Sequence, residues 1–425
     1  MRNIIVGFLG CGNIGCGVWK LLSEFENDIH HRSNVNFQVK RILVRDMKKK
    51  RDEIIPEELL TTCAADITDD PEIEMVVEFM GGEEPATQYM LRALENGKTV
   101  VTANKMALAL NWHDLQATAQ KNNAGLYYEA AVCGAIPVIR TTIDSLQANR
   151  IEAMMGIING TTNYILTRMS QEGSAYQDVL RDAQRLGLAE PDPTSDVEGF
   201  DAAYKISILS SLAFHARVPF DVVYREGISK VDALDIAYGK EMGYTLKLLA
   251  IAKRDGNVID ARVHPTFIPR EHPLSSVHGS FNAVFLHGHA CQDMMLFGCG
   301  AGSAPTASAV VSDMLYAANR EKPYHPTFSN ENKLAEGLTV TDDWRCSFYI
   351  RLTASDKPGV MAYITSCLGE EGISIRNLMQ REAVDGHAQI VLITHQAGEC
   401  AIHKALDAIN QGDAKVESLI RVEGK

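Results

Sequence analysis

The amino-acid sequence predicts an α/β chain in three units, and three observations carry the prediction. The first is the apolar run Asn3–Leu9, followed by Gly10-Cys-Gly12-Asn-Ile-Gly15 and a helix-like segment through Val18, Leu21 and Leu22. The second is a β-α-β-β-α-β order of patterns after residue 346. The third is length: 425 residues exceed one core, at about 150 residues per domain. Hydrophobic residues make up 46% and charged residues 22%, which excludes a disordered chain. The net charge of −13 makes nucleic acid a poor partner. Nine cysteines, scattered from Cys11 to Cys400, fit reduced thiols in a cytoplasmic protein and not a disulfide scaffold. Ile4–Leu9 after Arg2 imitates a signal peptide, but the run is short and opens into glycines, so it reads as a buried strand. No apolar stretch reaches the length of about 18 residues that a membrane span needs.

The first unit is expected over residues 1–135. Gly10 makes the tight turn, Gly12 admits a pyrophosphate and Gly15 permits close helix–strand packing. Asn13 and Ile14 stand at the helix start, where unpaired N–H groups attract phosphate. This is the cradle of a Rossmann-type dinucleotide-binding unit; the alternative is a tight turn in another α/β protein. The second strand is expected at Phe37–Val44. Arg45 and Asp46 follow it side by side, so NAD and NADP stay open, with Arg45 tilting the reading toward NADP. Lys48–Arg51 reads as a solvated loop. Met75–Phe79 is a strand ending in Gly81-Gly82, and Ala86, Met90, Leu91 and Leu94 mark a helix closed by Gly97. The strand Lys98–Val101 and the sequence Thr102-Ala-Asn-Lys105 put Lys105 just past a strand's carboxyl end, where open α/β sheets bind ligands. A plain surface lysine fits this evidence equally.

The middle unit is expected over 136–302. Tyr127–Val132 reads as a strand entering the turn Cys133-Gly134-Ala135, and Pro137 opens a helix. Ile151–Ile158 is a strand ending in Asn159-Gly160-Thr161-Thr-Asn163, a turn whose hydroxyls and N–H groups could hold a carboxylate. The densest chemistry follows a helix ending at Gly187. Glu190, Asp192, Asp196, Glu198 and Asp201 put five carboxylates into twelve residues. Pro191 and Pro193 keep the early part non-helical. A helix then carries Ala202, Ile206, Leu209 and Ala213 on one face, with Asp201 and Lys205 four apart on the same side. Two readings stand: a solvated acidic loop, or a site for a cationic substrate with a lysine that moves a proton during alcohol oxidation. A calcium loop fits poorly, because the carboxylates do not alternate and two prolines intrude. The glycine-rich run Gly298–Gly302 either returns the chain to the nucleotide unit, completing it by about 303–320, or is a close-packed crossing.

Residues 321–346 are polar and read as a linker. After them, Ser347–Thr353 is a strand, and Asp356-Lys-Pro358-Gly359-Val360 is a turn that launches a helix through Ile364 and Leu368, ended by Gly372. Ile373–Ile375 and Ala388–Thr394 are further strands and Ile402–Ile409 a second helix, which makes 347–425 a small ferredoxin-like unit without a catalytic group.

Taken together, Gly10–Gly15, Val77–Gly82, Thr102–Lys105, Asn159–Asn163, Glu190–Asp196 and Gly300–Gly302 make the chain resemble homoserine dehydrogenase with a C-terminal ACT domain, over nearly its full length. The resemblance implies reversible oxidation of L-homoserine to L-aspartate 4-semialdehyde with NAD or NADP, in threonine and methionine biosynthesis. It implies that Lys205 is the proton donor for aldehyde reduction and that Lys105 lies near nicotinamide and substrate. Glu190, Asp196 and Asp201 become pocket carboxylates, with Gly160 and Thr161 on the substrate and Gly302 on the cofactor. It further implies a monovalent cation, sodium or potassium, near Glu129, Val132, Gly134 and Ile136, held largely by carbonyls. Cys133 stands there where the family has a small residue. Asp356, Pro358, Gly359 and Val360 correspond to the turn of an ACT domain, a sensor of amino acids, which implies threonine feedback. Homodimers or homotetramers are implied through the middle unit. Two rivals are a sensor without catalysis, which would be expected to have lost some of Lys105, Lys205, Asp201 and Glu190, and aspartate-semialdehyde dehydrogenase, whose cysteine nucleophile Cys133 could supply.

Overall fold

The computed structural model describes residues 2–49, 55–328 and 331–424, so Lys50 and Arg51 of the basic run lie outside the described residues. The first sheet is wholly parallel. It contains β1 (Arg2–Leu9), β2 (Val35–Leu43), β3 (Leu60–Thr61), β4 (Met75–Glu78), β5 (Thr99–Thr102) and β6 (Leu126–Tyr127), in the order β3-β2-β1-β4-β5-β6. The order reverses between β1 and β4, which opens a crevice at their carboxyl ends. Ile4, Val6 and Phe8 of β1 and Val77 of β4 are buried on one face and Leu9 and Val76 on the other, as a parallel sheet covered by helices requires. The helix Ser303–Ala318 packs on this sheet through Ala307, Val310 and Met314. It crosses the helix Asn13–Glu24 so closely that a Cβ on Gly17 would lie 2.6 Å from the Ser303 hydroxyl oxygen.

The second sheet is mixed and runs through two units. Its strands are β7 (Ile151–Ile157), β8 (Tyr224–Arg225), β9 (Tyr244–Asp255), β10 (Val258–Pro269), β11 (Phe281–Gly288), β12 (Gln292–Cys299), β13 (Thr339–Val340), β14 (Arg345–Ser355), β15 (Ile375–Gln380), β16 (His387–Thr394), β17 (Ala397–Gly398) and β18 (Ala414–Val422). The main path is β12-β11-β7-β9-β10-β18-β14-β16-β15. The last four have the order of a ferredoxin-like sheet, with the helices Val360–Glu370 and Glu399–Ile409 as its two crossovers. This C-terminal unit is not free-standing: β18 pairs in parallel with β10 at Thr266↔Arg421 and Phe267↔Val422.

Three local expectations are corrected. Tyr127–Val132 is not one strand: β6 stops at Tyr127 and Glu129–Ala131 forms a 3-10 turn. The cause is the Glu129 carboxylate, which accepts the Ile139 and Arg140 amides at 2.8 Å each and draws the backbone into the turn. Asn159–Asn163 is a helix start and not a loop turn, because Asn159 caps the helix Gly160–Glu172 by accepting the Thr162 amide at 2.9 Å. The second strand of the C-terminal unit begins at Ile375 instead of Ile373. Within 321–346 the chain packs tightly in places: Phe328 stacks on Trp112, β13 pairs with β10, and Trp344 is buried.

Candidate active site

The crevice side of the first sheet is fastened by Glu78, a fully buried carboxylate at the end of β4. It accepts the Thr102 hydroxyl and the Met80 amide, both at 2.6 Å. Burial pushes its pKa up, and these donors oppose the rise. Beside it, Asn104 donates to the Gly82 carbonyl at 2.7 Å and caps the helix Lys105–Leu110 by accepting the Ala107 amide at 3.1 Å. The two motifs around Glu78 and Thr102 thus knit two strand ends together and place Lys105 on the first turn of a helix facing the crevice.

Lys105 meets the middle unit there. Its Nζ lies 3.1 Å from Asp201 Oδ1. Asp201 Oδ2 accepts Lys205 Nζ at 2.6 Å and Asn159 Nδ2 at 2.8 Å. Lys205 Nζ also donates to the Ile158 carbonyl at 2.8 Å, and Asn159 Nδ2 reaches Asp196 Oδ1 at 2.8 Å. Asp201 and Lys205 sit on the helix Phe200–Ala213, both buried. A buried carboxylate is tolerable only when paired and hydrogen-bonded. Burial alone would raise the Asp201 pKa; Lys205, Lys105 and Asn159 outweigh it and hold the carboxyl well below its ordinary range. The attraction of Asp201 raises the pKa of Lys105 against burial, with Asp196 and Glu190 adding to it.

The structure therefore brings together Lys105, Asp196, Asp201 and Lys205, and adds Asn159, whose side chain the sequence reading passed over. Its helix-cap position was the available signal. Glu190 is exposed and acts on Lys105 through its charge. The Thr161 hydroxyl is spent on the Leu188 carbonyl at 2.8 Å, pinning the loop before Glu190. Gly160 passes so close to Ser280 that a Cβ would lie 2.7 Å from its carbonyl oxygen.

The phosphate loop fits a dinucleotide. Gly10 has φ +102°, which favours glycine, and a Cβ on Gly12 would meet nothing within 4 Å, leaving the approach open at a helix start. Asn13 accepts the Ser303 hydroxyl at 2.5 Å, so the returning helix, entered through Gly302 at φ +112°, buttresses the cradle. Two residues earlier the run is a tight crossing, since a Cβ on Gly300 would lie 2.0 Å from Asn282. Arg45 is exposed beyond β2, and Asp46 accepts the Lys48 amide at 2.8 Å. In the loop proposed for a cation, Cys133 (φ 59°) and Gly134 (φ 53°) are both left-handed. The Glu129 carboxylate is committed to amides, so a cation there would rest on backbone carbonyls. In the C-terminal unit Gly359 (φ 95°) starts the helix Val360–Glu370, behind Asp356 and Pro358. Among the described residues no helix is long and apolar enough to cross a membrane.

A dinucleotide cradle opposite a lysine–carboxylate–lysine cluster defines the class: an NAD(P)-dependent oxidoreductase acting on a small polar substrate. Comparison with known proteins agrees. Residues 137–315 match the family described as homoserine dehydrogenase, 10–129 its NAD binding domain, and 348–411 the ACT domain. The homoserine dehydrogenase of Bacillus subtilis (strain 168) is 41% identical over 431 residues, covering 100% of this chain and 99% of the relative. That of Corynebacterium glutamicum is 41% identical over 430 residues, covering 98% and 95%. The crystal structure of a homoserine dehydrogenase from Thiobacillus denitrificans superposes with a TM-score of 0.93 at 41% identity, covering 100% of this chain and 99% of that one. A hyperthermophilic archaeal homoserine dehydrogenase in complex with NADPH gives 0.63 at 26% identity, covering 75% and 98%. The chain belongs to the homoserine dehydrogenase family, with a C-terminal ACT domain.

Proposed function

We propose that the chain interconverts L-homoserine and L-aspartate 4-semialdehyde with Lys205 as proton donor, NADP as preferred cofactor and threonine as a feedback inhibitor. The observation that carries the catalytic reading is the fixing of Lys205 by Asp201 and the Ile158 carbonyl. An ammonium has three donors. With two committed, one N–H is left to hydrogen-bond the substrate oxygen. The bound cofactor supplies or takes the hydride at the carbon that bears this oxygen. In aldehyde reduction Lys205 Nζ gives its proton to the oxygen, and in alcohol oxidation it takes one back. Lys105 stabilises negative charge on the oxygen, and Asp201 orients both lysines. Asp196 and Glu190 receive the substrate ammonium, while the amides of Gly160 and Thr161 at their helix start attract its carboxylate. Arg45 would take the adenosine phosphate of NADP. Sodium or potassium would rest on carbonyls of Glu129, Val132, Gly134 and Ile136.

The acylating rival, aspartate-semialdehyde dehydrogenase, is disfavoured by Cys133. It is fully buried, and burial pushes its thiol up to about 12, the opposite of an activated nucleophile. The reading of a homodimer or homotetramer is supported by the middle unit, where Phe281 and Phe297 on neighbouring strands are 42% and 54% exposed. Next to them a groove of about 830 Å³ has Met155, Phe285 and Met295 in its lining. The reduced thiols fit a cytoplasmic setting.

The test is homoserine-dependent reduction of NADP against NAD, without phosphate, with threonine titrated into the full-length chain. The expected result is phosphate-independent activity, greater with NADP, inhibited by threonine and enhanced by sodium or potassium over a bulky cation. Activity that requires phosphate overturns the catalytic reading, and unchanged rates with threonine overturn the regulatory one. Deleting 347–425 is a poorer test. Tyr349 and Arg351 of that unit bond the buried Asp235 at 2.9 and 2.6 Å, so the deletion also breaks the middle unit.

A further inference from the structure

The mechanism above uses no residue of the C-terminal unit, yet one of its side chains reaches the supports of the substrate loop. Arg421 on β18 is charged and only 2% exposed. Its Nε donates to Glu399 Oε1 at 3.1 Å, and Nη2 donates to the same carboxylate, which stands at the start of the helix Glu399–Ile409. Nη1 donates to Glu226 of the middle unit, and Nη2 to the Tyr224 hydroxyl at 3.2 Å. An arginine suits this place because its planar fork serves two carboxylates at once. Removing Arg421 would leave the buried Glu399 without its guanidinium partner.

Glu226 belongs to a segment that clamps the substrate loop. Its amide donates to the Val263 carbonyl on β10 at 2.8 Å. Gly227 passes so close to the loop that a Cβ would lie 2.4 Å from the Val197 carbonyl oxygen and 2.6 Å from Glu198. The Ile228 amide donates to that same Val197 carbonyl at 2.8 Å. Gly199 at φ +78° completes the turn; a Cβ there would lie 3.2 Å from the Arg225 side chain and 3.1 Å from Val263. The clamped turn 197–199 is the stretch of chain between Asp196 and Asp201. Those two carboxylates share Asn159, so their spacing depends on where the turn is held.

We infer that Glu226 and Arg421 are positioning residues for the reaction. Their ion pair, made across the boundary between middle and C-terminal units, holds the 197–199 turn and thereby sets Asp196 against Asp201 in the substrate pocket. The inference rests on the reading of 190–205 as the substrate site. It assigns the C-terminal unit a part in substrate binding even without an effector. The phosphate loop lies on the other sheet and takes no part in the clamp, so the effect falls on the amino-acid substrate and spares the cofactor.

The experiment uses the full-length chain with Glu226→Gln, Arg421→Met and the double variant. It reads kcat and KM separately for homoserine and for NADP. Each single variant is expected to raise the homoserine KM by about threefold to thirtyfold, the range of energetic coupling through packed networks. The NADP KM should stay within about twofold, and the loss in kcat should be smaller than the loss in the homoserine KM. The double variant should be no worse than the poorer single one, because the two residues act as one pair. Arg421→Lys should recover the homoserine KM only in part, since a single ammonium cannot match the fork. Glu226 is 37% exposed at its side chain, so Glu226→Gln decides the matter if Arg421→Met does not fold. An unchanged homoserine KM in Glu226→Gln, or equal losses for homoserine and NADP, overturns the inference. A wild-type chain inactive with homoserine overturns the functional reading beneath it, a result separate from an active wild type with insensitive variants.

Discussion

Replacing Lys205 by methionine removes the proposed proton donor while keeping much of the side-chain volume. Two effects follow from the geometry. A positioned general acid contributes about 10²–10⁴-fold, which is about 3–5 kcal/mol of barrier. Lys105, at 3.1 Å from Asp201, remains to offset charge on the substrate oxygen. The expected fall in turnover is therefore toward the lower part of that range, about 10²–10³-fold. The second effect is on Asp201, which loses its partner at 2.6 Å. In the wild type its folded pKa lies below the ordinary value of 3.8. Its stabilisation is then present above that value and is lost as pH falls through the folded pKa. Without Lys205, burial regains ground, the pKa rises, and stability at neutral pH drops. The drop should stay under the roughly 3–5 kcal/mol of a wholly unpaired buried charge, because Lys105 and Asn159 remain. The assay is steady-state cofactor oxidation with aspartate 4-semialdehyde, alongside cofactor affinity by fluorescence titration. Cofactor affinity should hold within about twofold. Turnover within a few-fold of wild type refutes the proton-transfer role.

Three further outcomes are expected. Arg45→Ala should weaken NADP by about tenfold, the scale of one hydrogen bond to a charged group, and NAD far less; equal losses in the two KM values would remove Arg45 from phosphate recognition. Lys247 is 1% exposed, donates to Asn163 at 3.0 Å, and is pushed down to about 8 by burial. Its depressed pKa means that the unfolded chain binds the extra proton, so stability should rise between about pH 8 and pH 10.5, by about 3 kcal/mol. Lys247→Met should flatten that rise in urea titrations, and an unchanged pH profile would refute the assignment. Cys11 in the glycine loop and Cys16 on the helix behind it have sulfurs 3.8 Å apart; their alkylation should abolish activity and NADP should protect them, and full activity after complete labelling of both would count against a cofactor in this loop.

Features that depend on neighbouring residues were legible along the chain. The glycine spacing at Gly10–Gly15, read with the strand before and the helix after it, marked the NAD-binding domain. The i,i+4 step put Asp201 and Lys205 on one helical face, and the strand end before Lys105 set it at the crevice. Hydrophobic periodicity likewise revealed the order of the C-terminal unit. Features that depend on residues far apart in the chain emerged with the fold. Asn159 joins Asp201 across 42 positions, Glu129 meets Asp313 across 184, and Arg421 reaches Glu226 across 195. The first brought a helix-cap side chain into the site. The second belongs to a buried network, with Ile139 and Arg140, that cut a supposed strand short. The third tied a unit that reads as separate in the sequence to the middle unit. The physical reason is common to all three. A buried polar group must find a partner wherever the fold supplies one, and local propensity carries no record of which distant residue that will be.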